Sequence, residues 1–231
     1  MSTSLSRALL PSLLAFSAGA LTHLQAAATA LTEPVSPASY ADTALTGTTF
    51  AARPELGGLI IEDVISDFSF AGVTGTVQNR VVREFGTGTL DFYWRINVTG
   101  SDTGAGVSAF RLDDFGYDFL TDADWRSDGL GTTAPDIARL FLATNHPEGA
   151  LNFLFDSGIA PGTDSMFFFL HTDAVAYTKT ATFDLLTTGA QALSPVYATF
   201  APSAVPEPET CALAAVGLAV AAWGARRRRS A

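Results

Sequence analysis

The chain has 231 residues, 48% of them hydrophobic and 16% charged, with a formal net charge of −10 at neutral pH and a single cysteine. One cysteine excludes an intramolecular disulfide framework, and an acidic balance lacks the basic footprint that holds a phosphate backbone, so no nucleic-acid partner is expected.

The N-terminus has the pattern of a secretory signal peptide. Arg7 precedes an apolar run from Ala8 to Leu21, interrupted by Pro11, Ser12, Ser17 and Gly19, and no charge follows until Glu33. Ala26, Ala28 and Ala30 offer two small-residue cleavage sites, of which the one after Ala30 is expected, giving a signal peptide over 1–30. No cysteine lies near that site and no twin arginine precedes it, so the expected route is the general secretion machinery.

Leu31 to Ala204 is long enough for one domain with its own core. It carries 8 basic and 21 acidic residues, a net of −13, which suits a soluble, self-repelling surface. Alternation is its recurrent pattern and is cleanest at Leu90 to Val98, where Leu90, Phe92, Trp94, Ile96 and Val98 share one face. Period two with aromatic and β-branched residues predicts a strand packed on one side and wet on the other. Weaker candidates precede and follow it: Thr46 to Ala51, Leu59 to Ser66, Gly75 to Arg83, Val107 to Leu112, Leu140 to Thr144, Ala150 to Phe155, Met166 to His171, Val175 to Asp184 and Pro195 to Phe200. Turn formers separate them, among them Gly72, Gly86 to Gly88, Gly100 to Gly106, Pro147-Glu148-Gly149 and Pro161-Gly162. Ala134 to Leu142 reads equally as helix or strand. Short strands joined by polar turns predict an all-β domain, a single antiparallel β-sandwich.

The residues that carry chemistry are few. After removal of the signal peptide two histidines remain: His146 in a turn, and His171 at the end of an apolar run, where a hydrogen-bonded strand-end role is expected. Neither a G-x-S-x-G elbow, an H-E-x-x-H pair nor a Walker A loop occurs, and no catalytic residue is assigned. Asp118, Asp122, Asp124 and Asp128 crowd a segment that reads as a loop. It is either a solvated acidic loop or a calcium site, since calcium takes six to eight oxygens. The spacing is not that of an EF-hand, because Arg126 and Thr133 stand where ligands belong. Trp125 is either exposed for stacking on sugar or tucked over the domain. Asn97-Val98-Thr99 has the form of a glycosylation acceptor but falls inside the expected strand.

The C-terminus is built in three parts. Val205, Pro206, Glu207 and Pro208 form a proline-restricted segment, Cys211 to Ala225 carries no charge, and Arg226, Arg227, Arg228 and Arg229 follow. Prolines hold their segment extended, the apolar stretch suits lipid, and an arginine cluster resists transfer across a bilayer. The apolar stretch spans about 22 Å as a helix, short against a hydrocarbon core of about 30 Å, as befits a transient anchor.

This order resembles the PEP-CTERM sorting signal over 205–231, with Pro206-Glu207-Pro208 matching its motif residue by residue. The resemblance implies a bacterial exported protein, a transmembrane helix as its membrane attachment, and exosortase as the enzyme that recognises and cuts the tail. Gly75 to Tyr117 also looks like PEP-CTERM ectodomains, which implies a β-sandwich at the cell surface and no single shared activity. The resulting expectation is a non-catalytic surface or extracellular-matrix protein, with extracellular polysaccharide as a candidate partner and no cofactor other than calcium. A carbohydrate- or calcium-binding adhesin is the alternative, and a secreted hydrolase a more distant one.

Overall fold

In a computed structural model of the chain, residues 29–36, 39–143 and 146–204 are described. Their strands are β1 (Tyr40–Ala44), β2 (Gly58–Phe70), β3 (Val73–Glu84), β4 (Leu90–Ser101), β5 (Val107–Asp113) and β6 (Leu120–Trp125). There follow β7 (Ile137–Ala143), β8 (His146–Ile159), β9 (Thr163–Asp164), β10 (Phe168–Thr172), β11 (Ala176–Thr187) and β12 (Tyr197–Ser203). Single 3-10 turns occur at Pro54–Leu56 and Tyr117–Phe119.

Two antiparallel sheets result. One has the order β1-β7-β8-β5-β11-β12; the other runs β2-β3-β4-β10-β6, with β9 paired to β4. The β2–β3 hairpin turns through Ala71 and Gly72, both at positive φ (48° and 77°), the backbone that a two-residue hairpin of right-handed twist requires. Phe70 and Val73 close the pairing on either side.

The expected alternation places Phe92, Trp94 and Ile96 of β4 inward against Phe110 of β5, Phe153 of β8 and Phe183 of β11. Aromatic rings carry much of this contact, with Phe110 stacked on Phe183 at 4.9 Å and Phe153 against Phe168 at 4.7 Å. One polar chain crosses the core. Trp94 Nε1 donates to Thr199 Oγ1 at 2.9 Å, and Thr199 Oγ1 donates to Asn79 Oδ1 at 3.0 Å, linking β4 and β3 of one sheet with β12 of the other.

Several expectations change. Thr46 to Ala51 is not a strand: Thr48 makes an isolated bridge to Arg126 and the chain turns at Phe50. Ala134 to Leu142 resolves in favour of strand, as β7. The backbone of Pro147-Glu148-Gly149 continues β8 instead of turning, and Asp122 and Asp124 sit on β6, not in a loop. The outer side of β4 is wet at Asn97 and Thr99 but not over the first part of the strand, where Asp91 and Tyr93 are buried. The segment around Arg53 and Leu56 covers that face, where Leu56, Val82, Tyr93, Phe167 and Phe169 form a second small apolar cluster. The expected signal peptide, 1–30, lies outside the described residues except for 29 and 30, and the tail at 205–231 lies wholly outside them. Among the described residues no helix is long and apolar enough to cross a membrane.

Candidate functional site

The covered outer face carries a row of ionisable groups set by strand register. Asp91 of β4 pairs across to His171 of β10, and His171 pairs across to Asp122 of β6. Glu84, the last residue of β3, completes the row beside Asp91. All three carboxylates are buried, Asp91 to 0% exposure, whereas His171 keeps 19% of its side chain exposed at the row's open side.

Arg53 enters this row from the covering segment. Its guanidinium donates to Asp122 through Nη1–Oδ1 (2.6 Å) and Nη2–Oδ2 (3.1 Å), and through Nε to Glu55 (2.9 Å), while only 1% exposed. The His171 ring sits between carboxylates on both sides: Nδ1 lies 2.8 Å from Asp122 Oδ2 and Nε2 lies 3.0 Å from Glu84 Oε1. The hydroxyls of Thr87 and Thr89 donate to Glu84 Oε2, which leaves Oε1 facing His171. Neither oxygen of Asp91 has a hydrogen-bond partner among the described residues.

Electrostatics follow from this packing. Burial pushes the Asp91 carboxyl up to about 8, with the neighbouring carboxylates adding to the effect and His171 opposing it. Burial alone would raise Asp122 as well, but hydrogen bonds from His171 and Arg53 outweigh it and hold Asp122 below the ordinary carboxylate range. Burial disfavours the imidazolium of His171, yet Asp122, Asp91 and Glu84 together raise its affinity for a proton.

The four aspartates singled out as candidate calcium ligands are not brought together. Asp118 lies exposed in the 3-10 turn before β6. Asp122 belongs to the row just described. Asp124 accepts from the backbone N–H of Gly47 (2.8 Å) and of Trp125 (2.9 Å). Asp128 accepts from Arg126 (2.8 and 3.0 Å) and from the Phe50 N–H (2.6 Å). Trp125 is tucked in: Gly47, at φ +76°, leaves room for its indole, and a Cβ there would stand 2.4 Å from the ring. Asn97 is exposed on β4, and His146 opens β8.

Sequence reasoning missed Arg53, Glu84 and Asp91. The available signal was Asp91 itself, a carboxylate flanked by Leu90 and Phe92 in a strand rich in large apolar residues. Beside the row lies a cleft of about 490 Å³ lined by Phe50, Ile60, Arg80, Phe85, Tyr93 and Phe167.

These features define a two-sheet, antiparallel all-β domain with a charged row buried on one outer face. Comparison with curated proteins and with solved structures finds no match. The family model of the PEP-CTERM protein-sorting motif matches residues 204–229, so the chain carries that motif immediately after β12 ends at Ser203. The match takes in Val205 to Pro208 and Arg226 to Arg229. Such a motif implies export and surface or extracellular placement, with exosortase as the processing partner.

Proposed function

We propose that this protein is an exported, non-catalytic component of the cell surface or extracellular matrix, delivered through general secretion, held briefly by a C-terminal membrane helix, and cut by exosortase near Pro206-Glu207-Pro208. The observation that carries this reading is the sorting-motif match over 204–229, which begins one residue after the last strand. A folded domain followed directly by an address keeps the domain intact when the address is removed. The non-catalytic reading is supported by the use of Arg53 and Asp122, whose hydrogen bonds fasten a loop segment onto a sheet.

Mass spectrometry of the mature protein from its native host tests the proposal. The expected result is a C-terminus at or just after Pro208 and an N-terminus at Leu31, with the tail retained when exosortase is deleted. Surface-fraction peptides extending through the apolar stretch in an exosortase-competent host would overturn it.

A further inference from the structure

Glu84 Oε1, Asp91 Oδ1 and His171 Nε2 converge from three adjacent strands. Nε2 lies 3.0 Å from Glu84 Oε1 and 4.0 Å from Asp91 Oδ1, and one ligand atom from each residue falls within 4.8 Å of the others. A zinc-type ion takes imidazole nitrogen and carboxylate oxygen at about 2.0–2.2 Å, so small side-chain shifts bring all three onto one ion.

Three further observations favour a cation there. Asp91 is wholly buried with both oxygens unpartnered, although a buried carboxylate ordinarily secures hydrogen bonds. The other ring nitrogen of His171, Nδ1, is 2.8 Å from Asp122 Oδ2, and Asp122 is fixed in turn by Arg53. A carboxylate accepting from the far N–H of an imidazole is the arrangement that orients metal-binding histidines and turns the second nitrogen's lone pair toward the ion. Finally, the guanidinium of Arg53 is engaged by Asp122 and Glu55, and the ion pairs that Glu84 and Asp91 make among the described residues are with His171 alone, so a bound cation would supply the partner that lysine or arginine does not.

We infer that Glu84, Asp91 and His171 form a binding site for a divalent transition cation, zinc or manganese, with Asp122 and Arg53 positioning His171. The ion occupies the place between Nε2 and Glu84 that a proton on Nε2 would otherwise fill. An imidazole in the ligand set disfavours calcium, which takes oxygen ligands. The exposed edge of His171 gives the ion its way in. This site is separate from export and stands or falls independently of it.

The test uses the purified full-length chain, stripped with chelator and titrated with zinc, manganese or calcium chloride. Zinc or manganese should bind at about one ion per chain and raise the melting temperature, and X-ray absorption of the loaded wild-type protein should show one imidazole in an otherwise oxygen shell. Asp91→Asn and His171→Gln should abolish saturable binding, and Asp122→Asn should weaken it about ten- to hundredfold, whereas Asp184→Asn on the opposite sheet should leave it unchanged. No zinc or manganese binding to the wild type, binding of calcium alone, or a metal shell without imidazole would overturn the site. The wild-type spectrum decides the matter even if a variant fails to fold.

Discussion

Arg53 and Asp122 stand 69 residues apart in the chain and meet in a bidentate ion pair in which both side chains are at most 2% exposed. Removing one partner of such a pair strands the other charge in a low-dielectric place, a larger loss than the net worth of the pair itself. Arg53→Met is therefore expected to destabilise the domain by about 3–5 kcal/mol in urea denaturation. Arg53→Lys should recover little, since an ammonium cannot reproduce the planar two-point contact. The double variant Arg53→Met, Asp122→Asn should lose less than the two single changes added together; strict additivity would show that the pair is not coupled.

Thr199 stands between the indole of Trp94 and the amide of Asn79 in the middle of the core. Thr199→Val keeps the volume but leaves the Trp94 N–H buried without an acceptor and Asn79 Oδ1 without this donor. The expected cost is about 1–3 kcal/mol, seen as a lower denaturation midpoint at unchanged slope. A neutral result would mean that water reaches this part of the core.

Ala71 occupies a left-handed conformation (φ 48°) at the first central position of the β2–β3 turn. A Cβ is disfavoured there by about 1–2 kcal/mol, and asparagine tolerates the geometry best among side-chain-bearing residues. Ala71→Asn should raise stability by about 0.5–1 kcal/mol. A fall in melting temperature would contradict the turn assignment.

Asp42 and Arg139 are direct cross-strand partners on β1 and β7, joined by two hydrogen bonds at 2.6 and 2.8 Å. Those bonds from the guanidinium hold the Asp42 carboxyl below its usual 3.8, outweighing its slight burial. Folding therefore favours the ionised form: the pair's contribution is complete above about pH 4 and is lost as acid protonates Asp42 below that value. Both groups are partly exposed, so the contribution is about 0.5 kcal/mol. Asp42→Asn should lower the melting temperature slightly at pH 7, and the difference from wild type should vanish near pH 2. A difference that persists in acid would assign the effect to packing.

Strands whose inward residues are strongly apolar were legible in the sequence, and β4 is the clearest because Leu90 to Val98 alternates without a break. β1 escaped notice because Tyr40 to Ala44 carries little apolar density and is held as an edge by its pairing to β7. β6 read as a loop because its carboxylates looked solvated. Only the fold reveals that Arg53 covers Asp122 and the Gly47 N–H caps Asp124. Glycine and proline at 147–149 suggested a turn, yet the strand backbone passes through them. The charged row itself was hidden for a general reason. Alternation tells which side of a strand faces the core, but the covering of the other side by a distant segment is decided by tertiary packing. The sorting motif needed no fold to be read, since its meaning lies in the order of its parts along the chain.

β12 is the outermost strand of its sheet, paired with β11 alone, and it supplies Thr199 to the chain of bonds through the core. A protein that leaves the cell N-terminus first delivers this strand last. Until it arrives, the Trp94 N–H has no acceptor and the facing sheet lacks its final edge. On the export route proposed above, β12 is followed at once by the sorting motif, so completion of the fold and delivery of that motif fall at the same moment.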